Sequence, residues 1–182
     1  MLYIGLDDTD MLDSRGTGHL ARQIAQELAT VCHIRGVSRH QLLRDPRVPM
    51  TKNNSANVIH VSATELSIRE LADRVRELML ANFIPGSDPG MCLSEAPSAM
   101  QIDFGRKAKR SLVTQQEAVA SLSGSQAVYA CLGGTGDGII GATAGVGLAA
   151  SGNDGRFVQV GGIRGLSGAV EVAELLLTGV AA

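Results

Sequence analysis

Residues 1–26, MLYIGLDDTDMLDSRGTGHLARQIAQ, run a short apolar stretch (Leu2, Tyr3, Ile4, Leu6) straight into three carboxylates, Asp7, Asp8 and Asp10. The next cation in sequence is Arg15, followed by a Gly-Thr-Gly step, residues 16–18. The apolar stretch reads as a strand over 2–6. Leu20, Ile24 and Leu28 then fall on one helical face, with Ala21 and Ala25 beside them, which predicts a helix over 17–29. The chain therefore opens on a strand, an acidic turn and a helix.

The rest continues in the same style. Val31–Leu43 is mixed and holds a candidate strand, and Ala56–Val61 is a clear one. Ser67 and Glu70 form a capping-box pattern, and Ile68, Leu71, Ala72, Val75, Leu78 and Met79 follow at helical spacing. Residues 84–98, IPGSDPGMCLSEAPS, are rich in Pro, Gly and Ser and read as a boundary or a functional loop. Ala99–Phe104 alternates like a strand. Thr114 and Glu117 begin a short helix, and Ala127–Leu132 reads as a strand. CLGGTGDGIIGATAGVGLAA, residues 131–150, runs from loop into helix; Phe157–Val160 is a strand and Ser167–Leu177 a closing helix. This order predicts an α/β or α+β fold, a mixed sheet layered with helices. It fits one compact domain over 1–182, or two small lobes: an acidic-turn lobe over 1–86 and a Gly-rich lobe over 99–182.

Composition narrows the class. Apolar residues make up 45% of the 182, enough for a real core built from aliphatics, since there is no Trp and only 3% is aromatic. A net charge of −2 argues against a strong grip on nucleic acid or an acidic membrane. The three cysteines, Cys32, Cys92 and Cys131, contain no C-x-x-C pair, so neither a zinc ribbon nor a disulfide framework is expected. The N-terminus lacks a signal-peptide pattern, and no stretch reaches the roughly 18 to 20 apolar residues of a membrane span. The expectation is a soluble, cytoplasmic protein.

The acidic turn carries the chemistry. Bunched carboxylates repel one another and raise each other's pKa. A bound Mg²⁺ relieves this, since it accepts one or two carboxylates with water and phosphate oxygens. The amides of Gly16, Thr17 and Gly18, opening the helix, are a seat for phosphate. A plain surface turn is the competing reading, because Asp is common in turns and Thr17 is an ordinary N-cap candidate. GDGIIG, residues 136–141, satisfies G-x-G-x-x-G between a strand and a helix. With Gly134, it offers amides to a phosphate, and Asp137 offers a carboxylate to an amine or guanidinium; a Gly-rich turn before a tightly packed helix accounts for it equally. Asp88 belongs to a turn or lines a cleft. RKAKR, residues 106–110, is a solvated face or meets phosphate. Arg44 is suited to clamp a phosphate or to pair with a nearby acid. Asn53, Asn54 and Asn57 make their loop polar. The four histidines share no metal-ligand spacing, and no Ser-His-Asp arrangement can be read.

Three blocks together resemble a known family. IGLDDTD followed by a Gly-Thr step and HLA, the block LLRDPRVPMTKNNSANVIHV, and GGTGDGIIGATAGVG are similar, in the same order, to the archaeal agmatinylcytidine synthetases that modify isoleucine tRNA. The resemblance implies ATP used to activate a cytidine carbonyl for attack by agmatine, on a kinase-like N-terminal region. By position, Asp7, Asp8 and Asp10 match that region's acidic turn, and Thr17 its phosphate-accepting threonine. Lys52 lies nearest its basic residue, about one position out of register. The family's OB-fold and zinc ribbon have no counterpart, so a stand-alone relative is expected and tRNA as a partner is in doubt. The resulting expectation is an ATP- and Mg-binding protein that activates a small substrate by phosphoryl or nucleotidyl transfer. Asp8, Thr17 and Lys52 are its catalytic candidates. Gly16, Gly18, Arg44, Gly134, Gly136, Asp137 and Gly138 are its nucleotide-binding candidates, and Asp7, Asp8 and Asp10 its metal ligands. The expected partners are a nucleotide and a small cationic molecule. The alternatives are a non-catalytic module for an amine or nucleotide, or a subunit of an RNA-modification enzyme.

Overall fold

A computed structural model describes residues 1–178. In chain order the elements are β1 (Leu2–Asp7), α1 (Thr17–Leu28), β2 (Cys32–Gln41), β3 (Ser55–Thr64), α2 (Ile68–Asn82), β4 (Gly90–Ser94), α3 (Ala99–Ala108), α4 (Gln115–Ser121), β5 (Val128–Cys131), α5 (Gly138–Ala150), β6 (Arg156–Gln159) and α6 (Val172–Leu177). The strands form one six-stranded sheet in the order β5-β4-β1-β3-β2-β6, with every described pairing antiparallel. The fold is α+β. Among the described residues, no helix is long and apolar enough to cross a membrane.

Strand alternation sorts the side chains onto two faces. Leu2, Ile4 and Leu6 of β1, with Ile59, Val61, Met91 and Leu93, build the core beneath α1 and α2. The other face carries α5, with α3 and α4 beyond it. α5 is buried nearly throughout and has no polar face, as a central helix should. Its Gly/Ala composition lets it lie directly on the sheet backbone. A Cβ at Gly5 of β1 would stand 2.2 Å from the Ala142 carbonyl oxygen, and one at Gly90 of β4 would stand 2.1 Å from Gly138 C.

Both predicted capping boxes form, Ser67 with Glu70 on α2 and Thr114 with Glu117 on α4. The expected strand over 99–104 is instead helix α3. Its alternation of Met100, Ile102 and Phe104 mimics a strand. Ser98 caps the segment, however, and the buried positions are Gln101, Phe104, Gly105 and Ala108, a helical spacing. Inside the Pro/Gly-rich stretch 84–98, residues 90–94 form β4, buried at every position between β1 and β5. The closing helix begins at Val172 rather than Ser167, because Gly168 sits at φ +73°, outside the helical region.

Gly5→Ala is expected to destabilise the fold by about 3 kcal/mol, since the methyl meets backbone that cannot yield. Urea unfolding of the variant against the parent chain measures it.

Candidate functional site

β1 runs up the middle of the sheet, and its last residue, Asp7, pairs with Gly90. The carboxylate of Asp7 lies on α5, where a Cβ at Gly141 would fall 1.6 Å from Oδ2. Asp8 has φ +49°, a left-handed conformation uncommon outside glycine and of the kind found at functional turns. Asp10 folds back onto α1. Its Oδ1 accepts the Thr17 amide at 2.9 Å and the Thr17 hydroxyl at 2.7 Å, and its Oδ2 accepts from Thr51 Oγ1 at 3.2 Å. Thr17 Oγ1 in turn accepts from the Thr9 amide at 3.1 Å and the Thr9 hydroxyl at 3.2 Å. Asp10 thus caps a helix whose N-cap residue, Gly16, has no side chain to do so.

Burial first, and then Asp8, pushes the Asp7 carboxyl up to about 7. Burial also raises Asp8, to about 6, with Asp88 and Asp10 adding repulsion. Asp88 is held differently. Burial pushes it up, but the Thr135 hydroxyl and the amides of Asp137, Gly136 and Thr135 all donate to it, and its net shift is downward. In the Gly-rich loop, where a phosphate seat is expected, the amides of Thr135, Gly136 and Asp137 cradle the chain's own carboxylate. Gly134 and Gly136, at φ +60° and +89°, shape the loop around it. Asp137 accepts from Gln115 Nε2 at 2.7 Å, and Gly138 packs on the Asp88 carbonyl.

Two cavities meet at the acidic turn. The first, about 470 Å³, lies between the turn, the start of α1 and residues 49–57. Gly16, Thr17 and Gly18 line it, and so do Arg15, Arg22, Arg39 and Lys52. Asn57, 3% exposed, also lines it, and its Oδ1 has no hydrogen-bond partner. A buried carbonyl oxygen of this kind is costly unless a ligand donates to it. The second cavity, about 820 Å³, opens on the other side of the turn. Asp7, Asp8, Asp88 and Asp137 line it together with Leu42, Leu112, Val113 and Ile140, a combination suited to a cation with an aliphatic body.

Most of the expected residues converge here: Asp7, Asp8 and Asp10 at both cavities, Gly16, Thr17, Gly18 and Lys52 at the first, Asp137 and Gly138 at the second. Arg44 does not. It donates to Asn53 Oδ1 at 2.9 Å and lines a separate depression. The basic run 106–110 is largely answered by acids: Arg106 pairs with Asp103, Lys107 with Glu117 and Lys109 with Asp154. Both oxygens of Asp10 accept hydrogen bonds, Oδ1 from Thr17 and Oδ2 from Thr51. Among the described residues, no group of three His, Cys, Asp or Glu side chains is arranged to hold a metal ion alone. Sequence reasoning missed Arg22 and Arg39. Arg22 reads as part of the polar side of an amphipathic helix and Arg39 as an interruption of a strand.

A Ser38–His40–Asp154 chain does exist, with Ser38 Oγ 2.7 Å from His40 Nε2 and His40 Nδ1 3.0 Å from Asp154. Ser38 also meets His60 Nε2 at 2.6 Å. Ser38 and His40 are 3% and 0% exposed, so the chain ties strands together and presents no nucleophile.

No family model and no curated protein matches the chain. Solved structures do. A tRNA fluorescent labeling enzyme is 25% identical with a TM-score of 0.70, over 80% of this chain and 35% of its own. The agmatidine synthetase TiaS, bound to isoleucine tRNA and ATP, is 24% identical with a TM-score of 0.71, over 80% and 36%. TiaS bound to the same tRNA, AMPCPP and agmatine is 24% identical with a TM-score of 0.68, over 80% and 35%. The likeness is one of fold, and the chain spans about a third of the length of these structures.

Because the fold raises the Asp8 pKa, its ionised form costs stability above about pH 6 and costs nothing below the unfolded value of 3.8. Asp8→Asn should therefore stabilise the ligand-free protein at pH 8 by about 1 kcal/mol, after discounting for solvent screening. The gain should vanish by pH 4. Denaturant titrations at both pH values test this.

Proposed function

We propose that the chain is an ATP-binding domain related to the N-terminal region of the agmatidine synthetases, with the nucleotide's phosphates in the first cavity. The observation that carries this reading is the pairing within one cleft of four cations (Arg15, Arg22, Arg39 and Lys52) with a carboxylate turn and the unpartnered Asn57 Oδ1. Phosphoryl or nucleotidyl transfer asks a protein mainly to position phosphates and offset their charge. Arg39 and Lys52 serve that purpose here. Of the first-turn amides, Thr17's goes to Asp10 and His19's to the Gly16 carbonyl, while Gly18's has no partner among the described residues. It is the one suited to a phosphate oxygen.

The donor set fits Mg²⁺ bound together with a nucleotide, not in a protein-only cage. Asp7 and Asp8 would hold it, and it would offset phosphate charge there. Thr17, 6% exposed, anchors the turn. Asp10 Oδ1, 2.7 Å from its hydroxyl, stands where a base would receive the Thr17 proton.

In this reading the second cavity takes an amine or guanidinium co-substrate with an aliphatic chain. TiaS has been solved with agmatine and with isoleucine tRNA, which supports an amine partner and weighs against the doubt that the net charge casts on RNA. The same cavity favours one alternative, a module that binds the amine without turnover.

Thermal-shift and calorimetric titrations with ATP, AMPCPP and agmatine, each with and without Mg²⁺, test both. ATP should bind with Mg²⁺ dependence, and Asp8→Asn should weaken that binding by about tenfold, the scale of one lost charged contact. Mg²⁺-dependent binding unchanged by Asp8→Asn overturns the proposal. Agmatine binding with no ATP binding and no release of phosphate or pyrophosphate selects the alternative.

A further inference from the structure

A shallow depression of about 480 Å³ adjoins the first cavity and shares Arg39 and Asn53 with it. Arg39, Arg44, Lys109 and Arg156 surround it, with Asp154 as its carboxylate. That carboxylate is already committed, Oδ1 to His40 and Oδ2 to Lys109 at 2.5 Å. The three arginines have no carboxylate partner among the described residues. Two of the heads are oriented instead by neutral acceptors: Arg39 Nε donates to Ser55 Oγ at 3.0 Å and Arg44 Nη2 to Asn53 Oδ1 at 2.9 Å.

The second observation is one of register. Arg39 on β2 lies directly opposite Arg156 on β6. Directly opposed residues of an antiparallel pair project from the same face, and like charges so placed repel. β6 is an edge strand of four residues, and nothing in its length or core contacts compels a cation at that position. An oxyanion between the two guanidinium groups turns the repulsion into a bridge.

We propose that this depression is a phosphate-binding site, distinct from the first cavity, in which Arg39, Arg44 and Arg156 grip the oxygens of a phosphate ester. Guanidinium groups suit phosphate because their planar forks donate two parallel hydrogen bonds. Lys109 lies at the wall, already paired. The inference does not depend on the ATP reading, because it concerns residues that the nucleotide does not need, apart from Arg39.

Inorganic phosphate is the first probe, followed by ribose 5-phosphate and a single-stranded oligoribonucleotide, all without ATP or Mg²⁺. Phosphate should raise the melting temperature of the unmodified chain. Arg156→Ser, which removes one half of the opposed pair, should melt higher than the parent in phosphate-free buffer and yet gain less from phosphate. In the double variant Arg44→Ser/Arg156→Ser, phosphate should bind about tenfold more weakly. Both substituted residues are exposed, so the variants retain the core. Lys52→Ser, which alters the first cavity alone, should leave the phosphate effect in place. If Lys52→Ser abolishes that effect and the arginine variants do not, the anion sits in the nucleotide cleft and the proposal fails while the ATP reading stands. If phosphate produces no effect on any of them, the proposal also fails. Competition by ribose 5-phosphate alone identifies a small phosphomonoester as the source. Competition by the oligonucleotide, with a salt dependence that drops by about one for each arginine removed, identifies a nucleic-acid backbone.

Discussion

The paired acceptance of the Thr17 amide and hydroxyl by Asp10 is the contact on which the site depends. It joins the end of the central strand to the start of α1, across a turn whose own residues repel one another. Asp7 is held by the strand itself, but without this contact Asp8 and the rest of the turn would lack a fixed position beside the cations that line the first cavity. Thr9 and Thr51 complete the anchor from two other directions. The turn is therefore rigid in spite of its charge, and Asp8 is held in a backbone conformation that it would not choose alone.

Much of this was legible in the sequence, for identifiable reasons. The apolar run of β1 and the amphipathic periods of α1 and α2 are strong local signals, and capping boxes report a helix start whatever packs around it. Crowded acids point to a site because repulsion is a sequence-local property. Segment 99–104 was illegible for the converse reason: its alternation satisfied a strand, and the Ser98 cap with the burial of Gln101, Phe104, Gly105 and Ala108 decides for a helix. The fate of the Gly-rich loop was equally hidden. That its amides close on Asp88 follows from a contact 47 to 49 residues away in sequence. Arg22 and Arg39 were missed because an arginine facing a cleft looks like one facing water until the fold is known.

Asp88 shows how a carboxylate is kept charged in a crowded acidic region. It accepts three backbone amides and a hydroxyl, and that donation favours the ionised form over burial and repulsion. At Asp7 and Asp8 a lone backbone donor to each is outweighed by burial and repulsion, and they are pushed up to about 7 and 6. The fold thus divides its acids into structural anchors with satisfied oxygens and a pair whose charge remains uncompensated. Uncompensated groups in a cleft lower stability, and they recur where a cation or a reacting group is to be received. That division separates the residues that shape the turn from those available to a ligand.

The net charge of −2 concealed this arrangement. Averaged over the chain, acids and bases nearly cancel, which at first sight excludes a grip on any polyanion. The fold separates what the average mixes. Five carboxylates gather around one end of the sheet, while Arg39, Arg44 and Arg156 lie along its β2–β6 side without acidic partners. Steering and binding respond to the local field within about a Debye length, roughly 8 Å at physiological salt, not to the total. Arg39 lies on the border between the two regions. It faces the carboxylate cleft on one side and the arginine depression on the other. A phosphate group on either side of it would find cations in reach, and this shared residue is what makes the two proposed anion seats neighbours.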